Sequence, residues 1–76
     1  MKVRHMRLVS SQFFWVDVRI ASVDGKWLAS ADTGDGPTLG MGRLPEEAIA
    51  HALRPFDGIV EDLMDTVPDE FYWSRA

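Results

Sequence analysis

One segment, residues 44–67, constrains the fold of this chain more than any other, because its apolar residues follow a helical period. They recur at steps of three and four, which places them on one side of an α-helix. They are Ile49, Ala52, Leu53, Phe56, Ile59, Val60, Leu63, Met64 and Val67. Acidic residues such as Glu47, Glu61 and Asp65 fall on the opposite side. The pattern predicts an amphipathic helical segment whose apolar side the rest of the chain must cover.

Pro55 interrupts this segment, because proline lacks a backbone donor and its ring crowds the carbonyl of His51. The apolar period nevertheless continues across it. We therefore expect either one kinked helix or two consecutive helices, with Pro55 as the first residue of the second. Pro45 suits the first helical position, and Pro68 closes the segment.

The residues before the helical segment predict a β-hairpin. Residues 12–22 alternate apolar and polar side chains, which is typical of a strand with one buried face. Asp24-Gly25 then matches a type I′ turn, and residues 26–32 form the second strand. Residues 33–42 contain four glycines and predict mostly loop, with a short third strand over residues 38–41. Residues 1–11 form either a flexible basic arm or an extra edge strand.

These elements predict the fold class. We expect one α+β domain over residues 1–76, with a small antiparallel sheet of three or four strands packed against the helical segment. Seventy-six residues bury only a modest share of their surface, so self-association or a partner is expected to add stability.

Charge and composition narrow the functional classes. The formal net charge is −4, but the first seven residues hold three of the eight basic side chains and no acidic one. The rest of the chain therefore carries five basic against twelve acidic residues, a charge of −7, which suits a basic partner and disfavours nucleic acid. The absence of cysteine excludes disulfides and thiolate zinc sites. No apolar run is long enough to span a membrane, so we expect a soluble, cytoplasmic protein.

No arrangement of residues predicts catalysis. His5 and His51 are the only histidines, and neither has a second metal ligand at a convincing spacing. The carboxylates of Asp57, Glu61 and Asp65 would need a concave pocket beside the sheet to form an acid–base or cation site. A solvated acidic helix face explains them as well. We expect no enzyme activity, no cofactor and no metal.

Aromatic residues are the candidate partner-binding side chains, because large aromatics dominate protein interfaces. Phe13 and Trp15 fall on the strand face that points away from the helix. Phe71, Tyr72 and Trp73 lie together after Pro68. We expect this tail to dock, either as a final strand on its own sheet edge or by insertion into a neighbouring subunit or partner.

Two stretches, GKWLASAD at residues 25–32 and GMGRLPEEA at residues 40–48, followed by Ala52 and Leu53, resemble the HicB-like family of antitoxin-type domains. The resemblance covers about residues 12–63. It implies a partial RNase-H-like sheet with one helical layer, without the catalytic carboxylates. The chain lacks the DNA-binding extension that many members carry, so operator binding is not expected.

The resemblance also implies a function. Family members inhibit a small, basic, mRNA-cleaving toxin of the HicA type and commonly self-associate. We therefore expect a homodimeric module that sequesters a basic protein partner. The alternative is a nucleic-acid-binding accessory protein that uses Lys2, Arg4 and Arg7 in the basic N-terminal arm.

Overall fold

The computed structural model describes residues 1–75 and contains an antiparallel four-stranded sheet with helices packed on one face. The strands are β1 (Arg4–Val9), β2 (Trp15–Val23), β3 (Lys26–Thr33) and β4 (Gly36–Gly42), and they lie in the sheet in chain order. The helices are α1 (Pro45–Ala52) and α2 (Val60–Met64), with 3₁₀ helices at Arg54–Phe56, Asp69–Phe71 and Trp73–Arg75. The predicted α+β class, a small antiparallel sheet against consecutive helices, is confirmed.

The turn between β2 and β3 has the predicted geometry. Asp24 and Gly25 both have positive φ, 51° and 77°, and Val23 pairs with Lys26 across the turn. Positive φ at both central positions is the requirement of a type I′ turn. The hairpin therefore sets the register that places Val18 and Ile20 opposite Ala31 and Ala29 on one face.

The segment expected to be mostly loop is instead β4, a seven-residue strand. It pairs with β3 from Thr33 opposite Gly36 to Trp27 opposite Gly42. The Thr33 hydroxyl holds the turn by donating to the Gly36 carbonyl at 2.6 Å. The glycines were interpreted as loop residues, but Gly40 is needed for helix packing, because a methyl group there would overlap the backbone of α1.

Of the two alternatives for residues 1–11, the extra strand is the one found. β1 lies at the sheet edge and pairs antiparallel with β2, from Arg4 opposite Ile20 to Val9 opposite Trp15. Met6 and Leu8 point inward and are buried.

The helical segment consists of two helices, as one of the two predictions stated. α1 begins at Pro45, and the carboxylate of Glu47 accepts from the N–H groups of Arg43 and Leu44, each at 3.1 Å. The chain leaves α-helical geometry after Ala52. Pro55 lies inside the 3₁₀ turn, so the expectation that it would begin the second helix is wrong. Gly58, at φ 95°, completes the break before α2.

One hydrophobic core joins the inner face of the sheet to the apolar side of the helical segment. The inner face of the sheet contributes Met6, Leu8, Val16, Val18, Ile20, Ala29 and Ala31. The residues after β4 contribute Ala48, Ile49, Ala52, Leu53, Leu63, Met64, Val67 and Phe71. Phe56, Ile59 and Val60 pack against this core while half-buried, so every member of the predicted helical stripe contacts it.

The C-terminal tail docks on its own chain, but as two 3₁₀ turns, so the expected final edge strand is wrong. The tail pairs with neither edge strand, β1 or β4, and its aromatic residues pack against Trp27 instead. The Arg75 guanidinium donates to the carbonyls of Met64 and Val67, each at 2.9 Å. These bonds tie the tail to the end of α2 and to the residues that follow it.

Candidate interaction surfaces

The five aromatic residues predicted as partner anchors lie in two separate places. Trp15 is at the start of β2 on the outer face of the sheet, whereas the tail packs beside Trp27 near the other end. Trp15 and the residue that pairs with Trp27, Ser22, are seven residues apart on β2, a span of about 23 Å. The anchors therefore do not form one patch.

Within the first group, Phe13 is 85% exposed and precedes the strand, in the loop joining β1 to β2. Trp15 is 56% exposed and carries the Arg7 guanidinium 5.4 Å from its ring. Both side chains are accessible to a partner.

The three tail aromatics make packing contacts within their own chain. Phe71 is buried and makes an edge-on contact with Trp27, so it belongs to the core and is not an exposed anchor. Tyr72 is half-buried under the Arg75 guanidinium, 3.9 Å from its ring. Trp73 is 48% exposed and packs edge-on against Trp27 with 5.5 Å between ring centroids. Of the three, Trp73 offers the most surface to a partner.

A buried carboxylate holds the tail in place. Glu46 is 6% exposed, and its oxygens accept from the backbone N–H groups of Trp73 at 3.1 Å and Ser74 at 2.8 Å. The Ser74 hydroxyl also donates to it, at 2.5 Å. Burial on its own would raise the pKa of Glu46, but the hydrogen bonds, first that of the Ser74 hydroxyl, outweigh burial and lower the pKa below its ordinary value. Local sequence patterns did not predict this role, because the partners of Glu46 lie 27 and 28 residues away in the chain.

The basic N-terminal arm does not present three free cations. Arg4 forms an ion pair with Glu70 at 3.3 Å and lies over the Phe71 ring. Arg7 forms an ion pair with Asp17 at 2.9 Å, and this hydrogen bond raises the pKa of Arg7 and lowers that of Asp17. Lys2 remains exposed. Two of the three predicted phosphate contacts are thus already engaged with carboxylates.

The apolar part of the outer face, away from Trp15, was not predicted as a site. Among residues 1–75, the helices pack on the inner face, and the outer face exposes apolar side chains on β3 and β4 and just before β1. We call these residues the apolar outer patch: Val3, Leu28, Leu39 and Met41. Leu39 and Met41 are 71% and 53% exposed. Leu39 and Met41 alternate with Thr38, Gly40 and Gly42, which is a strand pattern with an apolar outer face. The glycine-rich composition of the segment made this pattern hard to recognise in the sequence.

Beside the apolar outer patch, charged side chains of alternating sign cross the same face. Arg19 forms an ion pair with Asp32 at 3.0 Å, next to the pair of Arg7 and Asp17. These four residues and His5 line a shallow depression of about 370 Å³. These are exposed pairs of small energetic value, so they shape the face and its charge more than they stabilise the fold.

An acidic cleft lies on the other side of the molecule, between α1 and α2. Its volume is about 460 Å³; Ala50, Val60 and Met64 form the apolar part, and Tyr72 lies at one end. Glu47, Glu61 and Asp65 stand on its rim, and all three are exposed. Within residues 1–75, no basic side chain forms an ion pair with Glu61 or Asp65. We call this feature the acidic cleft.

The acidic cleft differs from the pocket considered for an acid–base site. It lies between two helices rather than beside the sheet, and Asp57 does not line it. Residues 1–75 contain no group of three or more His, Cys, Asp or Glu side chains placed to hold a metal ion. His51 accepts a hydrogen bond at Nδ1 from the Met41 N–H at 3.3 Å and contacts Arg54 through Nε2, so it has structural partners.

No protein-family model, curated protein or solved structure matches this chain. The resemblance to the HicB-like family therefore stays a prediction. In the part of the chain that the structure describes, no helix has both the length and the hydrophobicity needed to cross a membrane.

Proposed function

We propose that this protein is a non-enzymatic, cytoplasmic binding module, similar in role to a HicB-type antitoxin, that sequesters a small basic protein such as a HicA-like toxin. The acidic cleft carries this proposal. It combines an apolar floor with a rim of carboxylates, which suits a basic amphipathic segment that inserts an apolar side chain and places Lys or Arg at the rim.

The charge distribution supports the same partner class. Outside the first seven residues the chain carries a net charge of −7, and Glu61, Asp62 and Asp65 concentrate part of it on α2 and its C-terminal end. Such a field speeds encounter with a basic partner and repels phosphate backbones. The nucleic-acid alternative is less well supported, since Arg4 and Arg7 are paired with Glu70 and Asp17.

Calorimetry tests the proposal, with a purified HicA-type toxin and a synthetic Lys/Leu amphipathic helix as the two probes. The double substitution Glu61→Gln and Asp65→Asn removes two rim charges without changing side-chain size. We expect at least a tenfold loss of affinity, about 1.4 kcal/mol. Asp35→Asn is the matched control, because Asp35 is an exposed acid in the turn between β3 and β4, away from the cleft.

Two results would contradict the proposal. The first is no binding of either probe by the wild-type protein at low salt. The second is equal loss of affinity in the cleft variant and in the Asp35→Asn control, which would attribute the effect to net charge alone.

Self-association forms part of the proposal, because a chain of this length gains stability from a partner surface. It is tested separately, by the mass of the protein in solution at different concentrations.

A further inference from the structure

The apolar outer patch has a shape suited to contact with a flat, apolar surface. Ala21, Leu28 and Met41 lie side by side on β2, β3 and β4, and Leu39 stands in the next outward-facing row. Leu39 lines two shallow apolar depressions, of about 230 and 280 Å³, and Val3 lines the smaller one. The exposed Leu39 side chain is suited to insert into a depression of an opposing surface, and the depressions beside it are suited to receive a similar side chain.

The charges on the outer face indicate what kind of surface would cover it. Arg7 pairs with Asp17 and Arg19 with Asp32, so neighbouring charges largely cancel. Lys26 also lies on the outer face and adds one positive charge. This face is therefore close to neutral, whereas the side bearing the acidic cleft is negative. A basic partner gains more at the cleft, and a second copy of this acidic chain meets least repulsion at the outer face.

The β4 edge is poorly suited to pairing with another strand. In an antiparallel ladder alternate residues direct their N–H groups outward. On β4 these are Pro37, which has no N–H, Leu39, and Met41, whose N–H donates to His51 at 3.3 Å. With one of its three outward donors free, β4 offers little to an added strand.

We propose that two copies of this chain pack outer face against outer face, with the Leu39 of each seated in a hollow of the other. The proposal deepens the self-association stated above and rests on it. Two aligned sheets pack about 10 Å apart with their side chains interdigitated, and this separation accommodates the projecting leucines.

The size of the face predicts a weak dimer. Four strands spaced about 4.8 Å apart span roughly 15–20 Å across the sheet, and strands of six to nine residues at about 3.3 Å per residue span roughly 20–30 Å along it. Stable interfaces bury about 800 Å² per partner, roughly twice the flat area of this face. We therefore expect a dissociation constant on the order of 10–100 µM and a clear dependence of mass on concentration.

The experiment is sedimentation velocity from about 5 to about 500 µM, a range that brackets this dissociation constant. We expect the wild-type mass to rise from one chain toward two, and Leu39→Glu to remain monomeric because it places two carboxylates in the contact. Leu39 is 71% exposed, so folding is expected to survive, and circular dichroism verifies it. Trp73→Ala is the control, since it removes an exposed aromatic that packs against Trp27 on the inner side of the sheet, away from the outer face.

A dimer that persists in Leu39→Glu, or that is lost in Trp73→Ala instead, would overturn the outer-face proposal and leave self-association standing. A wild-type monomer at the highest concentration would overturn both. Amide chemical shifts provide a second measurement that needs no variant: concentration-dependent changes should concentrate at Leu28, Leu39 and Met41. Changes confined to the acidic cleft would contradict the proposal.

Discussion

Phe13 has the least favourable backbone conformation for its residue type in this chain. Its φ is 65°, in the left-handed region that a bulky residue rarely adopts. The loop imposes this geometry: the Phe13 N–H donates to the Ser10 carbonyl at 3.0 Å, and the Ser10 N–H donates to the Phe14 carbonyl at 2.7 Å. The phenyl ring itself is 85% exposed. A strained, exposed aromatic suggests that this residue serves an interaction rather than stability.

Replacing Phe13 with glycine is therefore expected to stabilise the fold. Glycine adopts positive φ without a Cβ clash, and little buried surface is lost, so the free energy of unfolding should rise by about 0.5–1 kcal/mol. Chemical denaturation measures this change. Phe14→Gly is the contrasting variant, because Phe14 packs on Phe56 with 5.6 Å between ring centroids; it should be destabilising. Loss of stability in Phe13→Gly would refute the strain argument.

Glu46 is the residue whose ionisation should govern tail docking. Its folded pKa is lowered, so its contribution to stability is present above the unfolded pKa of about 4.3 and is lost as pH falls through the folded pKa. Glu46→Gln should reduce the free energy of unfolding by about 1–3 kcal/mol at neutral pH and weaken the loss of stability on acidification. Denaturation at pH 7 and pH 3 measures both effects, with the exposed Glu61→Gln as control. Equal acid sensitivity of wild type and Glu46→Gln would contradict this role.

At the scale of elements, β4 and α1 pack with almost no space between their backbones. A Cβ at Gly42 would lie 2.6 Å from the Glu47 Cβ, and one at Gly40 would overlap the backbone of Ala48 and Ala52. The Thr38 hydroxyl also donates to the Ala52 carbonyl at 2.6 Å, so β4 helps to end α1. The glycines of this segment permit a helix to lie directly on a strand.

Gly40→Ala should consequently destabilise the protein by at least 1–3 kcal/mol, the usual cost of overpacking, because backbone atoms of α1 cannot move independently. Gly34→Ala is the matched control: no atom lies within 4 Å of its added methyl group, and its backbone needs no positive φ. Thermal unfolding of the two variants compares them directly. Equal effects would show that α1 does not pack against β4 as described.

At the scale of the whole molecule, charge is divided between two sides. The acidic cleft side is negative, whereas the outer sheet face is close to neutral through internal pairing. The two proposed contacts should therefore respond differently to salt.

Raising ionic strength from about 0.05 M to 0.5 M shortens the screening length from roughly 14 Å to 4 Å. Affinity for the basic probe should fall by about tenfold or more, while the dissociation constant of the dimer should change by less than about threefold. Calorimetry and sedimentation in the same buffers measure the two constants. A dimer that weakens as steeply as the basic complex would mean that charge, rather than the apolar outer patch, drives self-association.

The sequence by itself determined the features that depend on local periodicity and turn chemistry. The helical stripe, the Asp24-Gly25 turn and the proline-broken helix follow from residue spacing and backbone constraints, which act within a few residues. Only the tertiary structure decided that the glycine-rich segment is a strand, that Phe71 belongs to the core and that Glu46 holds the tail. Each of these depends on a neighbour distant in the chain: α1 over Gly40, Trp27 beside Phe71, and Ser74 against Glu46. The apolar outer patch is of the same kind, because it exists only once four strands lie side by side.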